Sequence, residues 1–429
     1  MKPYILDSAL GTELENRGEY LPSFKTSIWS AYSLIHNPEI IKQIHIENIE
    51  AGADVITTSN YQATPELLKR EPSAPSYEDL AKLALELCHE AVSQTNTDTK
   101  IAGCFPPIHV TFRPDLSSKE KTLRKFYSTL GNIYQNNVDI IISAISGFAG
   151  LETSILSVQT GKKVLLANKE SIVAGGDILI PLSKKTGANI VPIDSEHNAI
   201  LQCIDDYSAI QNITITASGG PFNEISDSDL ENISPQDALK HPTWNMGAKI
   251  SIDSATLVNK CLELIEASYL FNIKESKINL VIHPQSIVHS IVTYSDGSSL
   301  CQMSNPDMRV PIAHALSDEN RLNINFRELD FDNLSLSFSA FPKSRKMIED
   351  LAREVCKIKN GSGIVFNAAN EVAVDAFLNS EIKFLEIFDV ILRTFDNVQL
   401  SKELDIEKIY EIDKASRIMA KKVVESTSK

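Results

Sequence analysis

The sequence contains no apolar run that reaches the roughly 18 residues that a membrane-spanning helix needs. Its first residues, from Met1 to Asp7, also lack the apolar segment of a secretion signal. The six cysteines are scattered along the chain, and no C-x-x-C motif occurs. We therefore expect a cytoplasmic protein with reduced thiols, without membrane association and without a structural zinc site.

Positive charge is scarce, since 41 Lys and Arg residues stand against 56 Asp and Glu residues and the formal net charge is −15. This balance argues against non-specific binding of nucleic acid, whose phosphates need a basic surface. It does not exclude a small anionic substrate, because one local pocket can have the opposite sign from the whole surface.

The sequence also lacks a glycine-rich nucleotide loop of the G-x-G-x-x-G or G-x-T-G-x-x-G kind. Gly147-Phe148-Ala149-Gly150 and Gly361-Ser362-Gly363 come nearest, but neither has the required spacing and flanking strand. Such a loop holds the pyrophosphate of a dinucleotide against a helix N-terminus. Its absence predicts that a dinucleotide site in this chain is incomplete.

Short β-branched runs alternate with helical patterns in the first part of the 429-residue chain. The predicted strands are residues 4–6, 54–58, 100–104 and 138–143, and the clearest helical patterns cover 77–93 and 118–135. This alternation predicts a parallel sheet. The hydrophobic content of 43% and the charged content of 23% are those of a soluble globular protein, and the length predicts two or three domains.

Two carboxylates, Asp194 and Glu196, follow the predicted strand at 188–192. In an extended segment the two side chains would point to the same side, because side chains alternate with period two. Oxygen ligands that converge in this way favour Mg²⁺ or Mn²⁺. The alternative is a solvated loop with ordinary surface charge.

Three further stretches carry candidate binding residues. Residues 249–267 are predicted to begin extended and to become helical near Ser254, so that Asn259, Lys260 and Glu263 share one side of a helix. Ser218 precedes two glycines, a pattern that suits either an anion site or a plain turn. Lys169 follows the predicted strand at 164–167, at the sheet edge where ligands of α/β proteins bind.

Residues 1–138 resemble the homocysteine S-methyltransferase family. The resemblance rests on Leu6-Asp7-Ser8-Ala9-Leu10-Gly11-Thr12 and on the stretches 51–63, 102–107 and 113–116. It implies the front half of a (β/α)₈ barrel. That family activates homocysteine through zinc held by cysteines, two of them adjacent, and this chain has no Cys-Cys pair. We therefore expect residues 1–138 to be a scaffold without methyl-transfer activity.

From residue 138 onward the chain resembles the 1-deoxy-D-xylulose 5-phosphate reductoisomerase family. The matching stretches include Leu166-Ala167-Asn168-Lys169-Glu170-Ser171, Asp194-Ser195-Glu196-His197-Asn198, Ala217-Ser218-Gly219-Gly220-Pro221 and His241-Pro242-Thr243-Trp244-Asn245-Met246-Gly247. Residues 249–263, 283–290, 305–309 and 367–372 also match. The change of resemblance falls inside the predicted strand at 138–143, which either part could supply.

This second resemblance implies a reductoisomerase that converts 1-deoxy-D-xylulose 5-phosphate to 2-C-methyl-D-erythritol 4-phosphate with NADPH and Mn²⁺ or Mg²⁺. It implies a homodimer, and it implies that residues 241–247 close over the substrate as a lid. The implied metal ligands are Asp194, Glu196 and Glu263, and the implied phosphate ligands are Ser218, His241, Ser254, Asn259 and Lys260. Lys169 and Ser195 would orient the substrate, the catalytic residues would be Lys169, Glu196 and His241, and the cofactor would lie beside Asn168, Glu170 and Gly247.

The predicted fold class combines three kinds of domain. An α/β part with a parallel sheet would comprise the methyltransferase-like segment 1–138 and a remnant of an NADPH-binding domain at 139–192. An α+β catalytic domain would follow at 193–315, then a linker at 316–342 and an α-helical bundle at 343–429. Three alternatives to a full reductoisomerase stay open: a phosphosugar-binding pseudoenzyme without a complete NADPH site, a homocysteine methyltransferase, and the product of a recombined reading frame.

Overall fold

The computed structural model describes residues 7–8, 10–22, 28–71, 73–106, 120–134, 137–222, 229–240, 247–317, 321, 326–401 and 403–427, with only the backbone described at 120–124. The chain forms two compact units. The first comprises Met1–Asn168, Leu182–Pro192 and Ile312–Ile324, and the second comprises Lys169–Pro181, Ile193–Pro311 and Asn325–Lys429.

The first unit is built on a parallel sheet of five strands. They are β1 (Val55–Thr57), β2 (Lys100–Cys104), β3 (Ile140–Ser143), β4 (Lys163–Leu166) and β5 (Asn189–Pro192). All neighbouring pairs are parallel. The parallel sheet predicted from the sequence is confirmed, while the predicted strand at 4–6 lies outside the described residues.

Strand β3 joins the two parts of the chain that resemble different families. Its residue Ile141 is in register with Gly103 of β2 on one side and with Val164 of β4 on the other. Three of its four residues are isoleucines, of which Ile140 and Ile141 are buried. Apolar β-branched residues suit a strand covered on both faces. The two parts therefore share one sheet.

The described strands of this sheet lie in sequence order, β1-β2-β3-β4-β5. A doubly wound nucleotide-binding sheet reverses its strand order, and its ligand binds at the point of reversal. Sequential order is instead the arrangement of a (β/α)₈ barrel. The topology of the first unit thus agrees with the methyltransferase resemblance of its N-terminal part.

Helices connect the strands of the first unit. They are α1 (Leu10–Asn16), α2 (Ala31–His36), α3 (Pro38–Glu50), α4 (Pro65–Leu68), α5 (Tyr77–Thr95), α6 (Glu120–Tyr134), α7 (Gly150–Gln159) and α8 (Lys169–Thr186), whose first part belongs to the second unit. The Ser76 hydroxyl accepts a hydrogen bond from Asp79 N and fixes the start of α5. Phe126, Tyr127 and Tyr134 of α6 lie in a core that includes Ile56 and Ile141 of the sheet.

A buried histidine lies beside the first strand. His45 of α3 is 1% exposed, with its Nε2 3.6 Å from Cys88 Sγ and its Nδ1 3.8 Å from Asp7 Oδ2. Burial lowers the pKa of His45 to about 4. Burial also raises the pKa of Asp7 to about 6, although Thr57 donates two hydrogen bonds to this carboxylate. The two groups therefore change the stability in opposite directions as the pH falls.

Replacing His45 by glutamine is expected to make the protein less sensitive to acid. Below pH 6.5 the unfolded chain binds a proton at His45 that the folded chain does not bind until about pH 4, so the native state loses stability as the pH falls across this window. His45→Gln should therefore gain about 3 kcal/mol relative to the wild type between these pH values. Urea denaturation at both pH values measures the difference, and a difference that is independent of pH would contradict a neutral His45. Asp7 contributes equally to both proteins.

The second unit contains a mixed sheet of five strands in the order β10-β7-β6-β8-β9. The strands are β6 (Ile210–Ala217), β7 (Ile278–Ile282), β8 (Val288–Tyr294), β9 (Ser299–Met303) and β10 (Ser339–Ala340). Strand β6 pairs in parallel with β7 and antiparallel with β8. The α+β character predicted for this part is therefore present.

The remaining helices are α9 (Ser195–Cys203), α10 (Pro235–Ala238), α11 (Ala248–Thr256), α12 (Val258–Leu270), α13 (Arg309–Leu316), α14 (Lys346–Ile358), α15 (Ser362–Leu378), α16 (Glu386–Asn397) and α17 (Ile406–Thr427). Buried residues of α12 and of the four C-terminal helices share one hydrophobic core with β6, β7 and β8. No helix in the described ranges is long and apolar enough to cross a membrane.

The predicted extended start of residues 249–267 is wrong. The segment is helical from Ala248, and the two helices α11 and α12 meet at Leu257, which has a φ of 64°. A left-handed conformation is costly for leucine and interrupts the helix there. Leu257 is buried, and packing holds it in a core with Ala217 and Ile282.

Candidate metal and anion site

Asp194 lies just after β5 and caps the first turn of α9. Its Oδ1 accepts hydrogen bonds from Glu196 N and His197 N at 3.2 and 3.4 Å. The capping role explains why an aspartate suits this position, because the first N–H groups of a helix need an acceptor. Glu196 therefore lies in the first turn of a helix, and the prediction that Asp194 and Glu196 belong to an extended segment is wrong.

Helix α12 carries the third carboxylate. Glu263 is fully buried, and its carboxylate accepts hydrogen bonds from Asn259 Nδ2 at 2.5 Å and from Lys260 Nζ at 2.7 Å. Residues three and four positions apart lie on the same side of a helix, which explains both contacts. The predicted shared face of Asn259, Lys260 and Glu263 is thus present.

Asp194 and Glu196 at the start of α9 come together with Glu263 of α12. One carboxylate oxygen from each lies within 4.8 Å of the others. Two ammonium groups lie among them: Lys169 Nζ is 2.7 Å from Asp194 Oδ2 and 2.9 Å from Glu263 Oε1, and Lys260 Nζ pairs with Glu196. Three carboxylates and two ammonium groups leave one negative charge in a largely buried cluster.

The charges of this cluster shift the pKa of its members. Burial alone would raise the pKa of Asp194, but Lys169 and then His197 outweigh burial and hold it well below the usual value. The pKa of Glu263 is raised, chiefly by burial and by the neighbouring Glu196. The pKa of Lys169 lies well above its usual value, since Asp194 and Glu263 outweigh the effect of burial. The donor set of three carboxylates with excess negative charge fits a hard divalent cation such as Mg²⁺ or Mn²⁺.

His197 and Glu266 form a second group around Asp194, and no role was predicted for either residue from the sequence. His197 Nδ1 lies 2.8 Å from Asp194 Oδ1 and 3.3 Å from Glu266 Oε2, and its Nε2 lies 2.9 Å from the carbonyl oxygen of Glu263. Burial lowers the pKa of His197, but Glu266 and Asp194 outweigh it and raise the pKa to about 9. Burial raises the pKa of Glu266 to about 7. The spacing of Asp194 and His197 across one helical turn was the available signal.

Asp194, His197 and Glu266 also meet the distance condition for a metal-binding group. His197, however, connects Asp194 to the backbone of α12 through its two ring nitrogens. A histidine that is protonated on both ring nitrogens has no lone pair for a cation, and the raised pKa of His197 favours this form. We therefore favour the group of three carboxylates over this second group as the cation site.

The loop after β6 brings Ser218 close to α11. Gly219 and Gly220 have φ values of 87° and 66°, and Gly220 N donates a hydrogen bond to Ser218 Oγ. A Cβ atom at position 220 would lie 2.8 Å from the carbonyl oxygen of Ser254. Only glycine permits this approach. Ser218 and Ser254 are thus on neighbouring backbone segments, as an anion site built from both would need.

Ser195 opens α9, and its hydroxyl donates to Glu196 Oε2 at 2.6 Å. Lys169 opens α8, and besides the two carboxylates its Nζ donates to Asn259 Oδ1 at 2.9 Å. Both residues to which the family resemblance gives a role in substrate orientation therefore contact the carboxylate cluster. Lys260 does so as well, through Glu196 and Glu263.

The predicted cofactor residues are placed elsewhere. Asn168 belongs to the first unit, where its side chain donates to Gly147 O at 3.0 Å. Glu170 pairs with Lys249, and Gly247 precedes α11 as its N-cap residue. His241 and the predicted lid residues up to 246 lie outside the described residues.

Two further histidines, His283 and His289, make structural hydrogen-bond contacts with residues outside the carboxylate cluster. His283 Nδ1 lies 2.8 Å from Ser337 O, and its Nε2 accepts hydrogen bonds from Ile287 N and Val288 N. His289 Nε2 lies 3.1 Å from Ser304 Oγ.

Comparison with known proteins adds to this geometry. The family model described as the 1-deoxy-D-xylulose 5-phosphate reductoisomerase C-terminal domain matches residues 190–271, and that of the DXP reductoisomerase C-terminal domain matches 303–419. The reductoisomerase of Francisella tularensis subsp. novicida (strain U112) is 45% identical over 286 residues, which cover 65% of this chain and 74% of that protein. The chain belongs to the 1-deoxy-D-xylulose 5-phosphate reductoisomerase family. The reductoisomerase of Tolumonas auensis is likewise 45% identical over 298 residues, covering 66% of this chain and 75% of that protein.

Solved reductoisomerase structures are similar over nearly the whole chain. The enzyme from Zymomonas mobilis in complex with NADPH is 31% identical, with a TM-score of 0.69, and the match covers 99% of this chain and 100% of that one. A reductoisomerase in complex with NADPH, fosmidomycin and magnesium is 34% identical, with a TM-score of 0.67, and the match covers 90% of this chain and 89% of that one.

The N-terminal part has a second similarity. The family model for homocysteine S-methyltransferase matches residues 4–175, a range that extends past position 138 through β3 and β4. The N-terminal part of the chain is thus matched both by the homocysteine S-methyltransferase family model and by the solved reductoisomerase structures.

Proposed function

We propose that this chain is a reductoisomerase that converts 1-deoxy-D-xylulose 5-phosphate to 2-C-methyl-D-erythritol 4-phosphate with NADPH and Mg²⁺ or Mn²⁺. The observation that carries the proposal is the cluster of Asp194, Glu196 and Glu263, which is joined by Lys169 and Lys260 in a member of this family. The expectation that the missing glycine-rich loop impairs activity finds no support in the comparisons, because NADPH-bound reductoisomerases match nearly the whole chain.

The three carboxylates Asp194, Glu196 and Glu263 would hold the divalent cation. When bound, this cation supplies the positive charge that polarises the carbonyl and neighbouring hydroxyl oxygen of the substrate. Lys169 donates hydrogen bonds from a position between Asp194 and Glu263, so it can orient the same oxygens. Ser195 donates to Glu196 and orients that carboxylate.

The phosphate group of the substrate would bind to the remaining donors. Lys260 supplies a positive charge, and Asn259, Ser218 and Ser254 supply neutral donors on adjacent segments. His241 is proposed to complete this group and to act in catalysis together with Lys169 and Glu196. Asn168, Glu170 and Gly247 are proposed to bind NADPH, which would supply the hydride for the reduction of the rearranged aldehyde.

A second candidate function is that of a phosphosugar-binding protein that does not reduce its ligand. The sequential strand order of the first unit favours it, since the described strands contain no reversal where a dinucleotide would bind. Homocysteine methyl transfer is a more distant candidate, because the adjacent cysteine ligands of that family are absent from the sequence.

Purified protein supplied with 1-deoxy-D-xylulose 5-phosphate, Mg²⁺ and NADPH is expected to oxidise NADPH in proportion to the substrate consumed. Absorbance at the nicotinamide band measures this reaction. If the absorbance stays constant even at high NADPH concentration, calorimetry with each ligand separates the candidates. Binding of the substrate with metal but without binding of NADPH would favour the phosphosugar-binding protein over the enzyme.

We propose domain limits at residues 138, 192, 315 and 342. We also propose that the C-terminal residues 343–429 form a helical bundle. The order of helices α14–α17 supports this last assignment. A cytoplasmic location is proposed because all six cysteines are free thiols. The homodimer stays a prediction that sedimentation equilibrium would test.

A further inference from the structure

Lys249 lies in the first turn of α11, between two carboxylates. Its Nζ is 2.9 Å from Glu170 Oε1 of α8 and 2.7 Å from Asp253 Oδ2 of its own helix. The partial positive charge of a helix N-terminus disfavours a lysine at this position. The N-terminal dipole of α11 therefore does not stabilise Lys249, and the carboxylates of Asp253 and Glu170 supply the compensation.

The contacts of Lys249 extend to a third helix. Asp253 is 1% exposed, and Asn370 of α15, which is fully buried, donates a hydrogen bond to Asp253 Oδ1 at 2.9 Å. The Lys249 ammonium is thus held on α11 by a carboxylate that is itself anchored to α15. The second partner of Lys249, Glu170, belongs to α8. The Glu170 carboxylate is therefore held in part by a residue of another helix.

The first turn of α8 is held by ion pairs in which it supplies a cation at one residue and an anion at the next. Lys169 contributes a cation to Asp194 and Glu263, while the next residue, Glu170, receives a cation from Lys249. Glu170 is 8% exposed, and a buried carboxylate that loses its cation either takes up a proton or turns toward water. Both responses would change what Glu170 presents to a ligand, while Lys169 keeps its ion pairs with Asp194 and Glu263.

We propose that Lys249 is a positioning residue that holds the Glu170 carboxylate in place for NADPH. This proposal rests on the proposed function, in which Glu170 lies beside the nicotinamide. Lys249 acts on the cofactor through Glu170, whereas the carboxylate cluster around Lys169 serves the metal and the sugar phosphate. Lys169 and Glu170, which are neighbours in the first turn of α8, thereby serve different ligands.

Lys249→Met is expected to raise the Kd and the KM for NADPH by at least about tenfold, because it leaves two buried carboxylates without their cation. The KM for 1-deoxy-D-xylulose 5-phosphate and the affinity for Mn²⁺ are expected to change less than about threefold, since the metal and phosphate residues keep their contacts. Lys249→Arg keeps the charge and should recover most of the NADPH affinity. Lys346→Met, which removes an exposed ion pair on α14, is the matched control with unchanged kinetics.

Glu170→Gln provides the second test. It leaves the Lys249–Asp253 ion pair intact, so this variant should fold even if Lys249→Met does not. It should weaken NADPH binding, and Lys249→Met added to it should weaken binding by less than about twofold more. Additive losses, or an equal rise in the KM for both substrates, would overturn the positioning role. If the wild-type protein turns over substrate and Lys249→Met keeps its NADPH affinity, this inference alone is overturned. If the wild-type protein binds no NADPH, the inference and the proposed function are both overturned.

Discussion

Replacing Glu263 by glutamine is expected to lower the affinity for Mn²⁺ by at least about 100-fold and kcat by about 1,000-fold, since the change removes a ligand and breaks a buried charge cluster. Glu263 accepts hydrogen bonds from Lys169, Lys260 and Asn259. A glutamine amide would offer N–H groups to some of these donors and leave them unpaired. Mn²⁺ binding measured by electron paramagnetic resonance reports the loss independently of activity.

Glu266→Gln is the matched control on the same helix. Glu266 lies one helical turn from Glu263 and is equally buried, but it contacts His197 and not the two lysines. Burial raises its pKa to about 7, so that near neutral pH its carboxyl group is already partly uncharged and close to glutamine in form. We expect the Mn²⁺ affinity of this variant to fall less than about tenfold. If Glu266→Gln lost the metal and Glu263→Gln kept it, the site would belong to Asp194, His197 and Glu266.

Lys169→Met is expected to lower kcat by about 1,000-fold, because a positioned cation in a buried site contributes several kcal/mol to the stabilisation of developing negative charge. Among the described lysines and arginines, only Lys169 forms ion pairs with the carboxylates of both Asp194 and Glu263. Methionine has a similar length but no charge, so packing changes little. The Mn²⁺ affinity should stay the same or increase, since one positive charge is removed from the cluster.

Lys185→Met is the control for this prediction. Lys185 lies in the last turn of the same helix α8 and is exposed, so its replacement should leave kcat unchanged. Steady-state kinetics with Mg²⁺ and single-turnover measurements separate the chemical step from product release. A loss of less than tenfold in Lys169→Met would contradict a direct role of this lysine in the reaction.

The strands of the first unit were predictable because their residues are apolar and β-branched over short runs. Ile140–Ser143 and Lys163–Leu166 can form little other than buried strands, and the pattern of alternation with helices leaves a parallel sheet. The order of the strands was not readable in the same way. The packing of the whole unit determines which strands become neighbours, and the residues of one strand do not identify the adjacent strand.

The carboxylate cluster was predictable in its members and not in its geometry. Asp194, Glu196 and Glu263 were predictable from their residue types and a family resemblance. The extended segment predicted for Asp194 and Glu196 is absent because Asp194 caps a helix. Aspartate followed by a serine and a glutamate also reads as a helix start, a pattern that competes with strand continuation. The left-handed Leu257 between α11 and α12 had no local signal, since tertiary packing overrides the preference of leucine.

The central strand β3 has a consequence for the handling of this chain. Each edge of β3 is occupied, by β2 on one side and by β4 on the other. A truncated protein that begins after position 138 would expose the backbone N–H and C=O groups along β3, next to an apolar face. Exposed strand edges of this kind recruit other chains, so such a fragment is prone to aggregate. We therefore expect the reductoisomerase-like portion to need residues 1–138 to stay in solution.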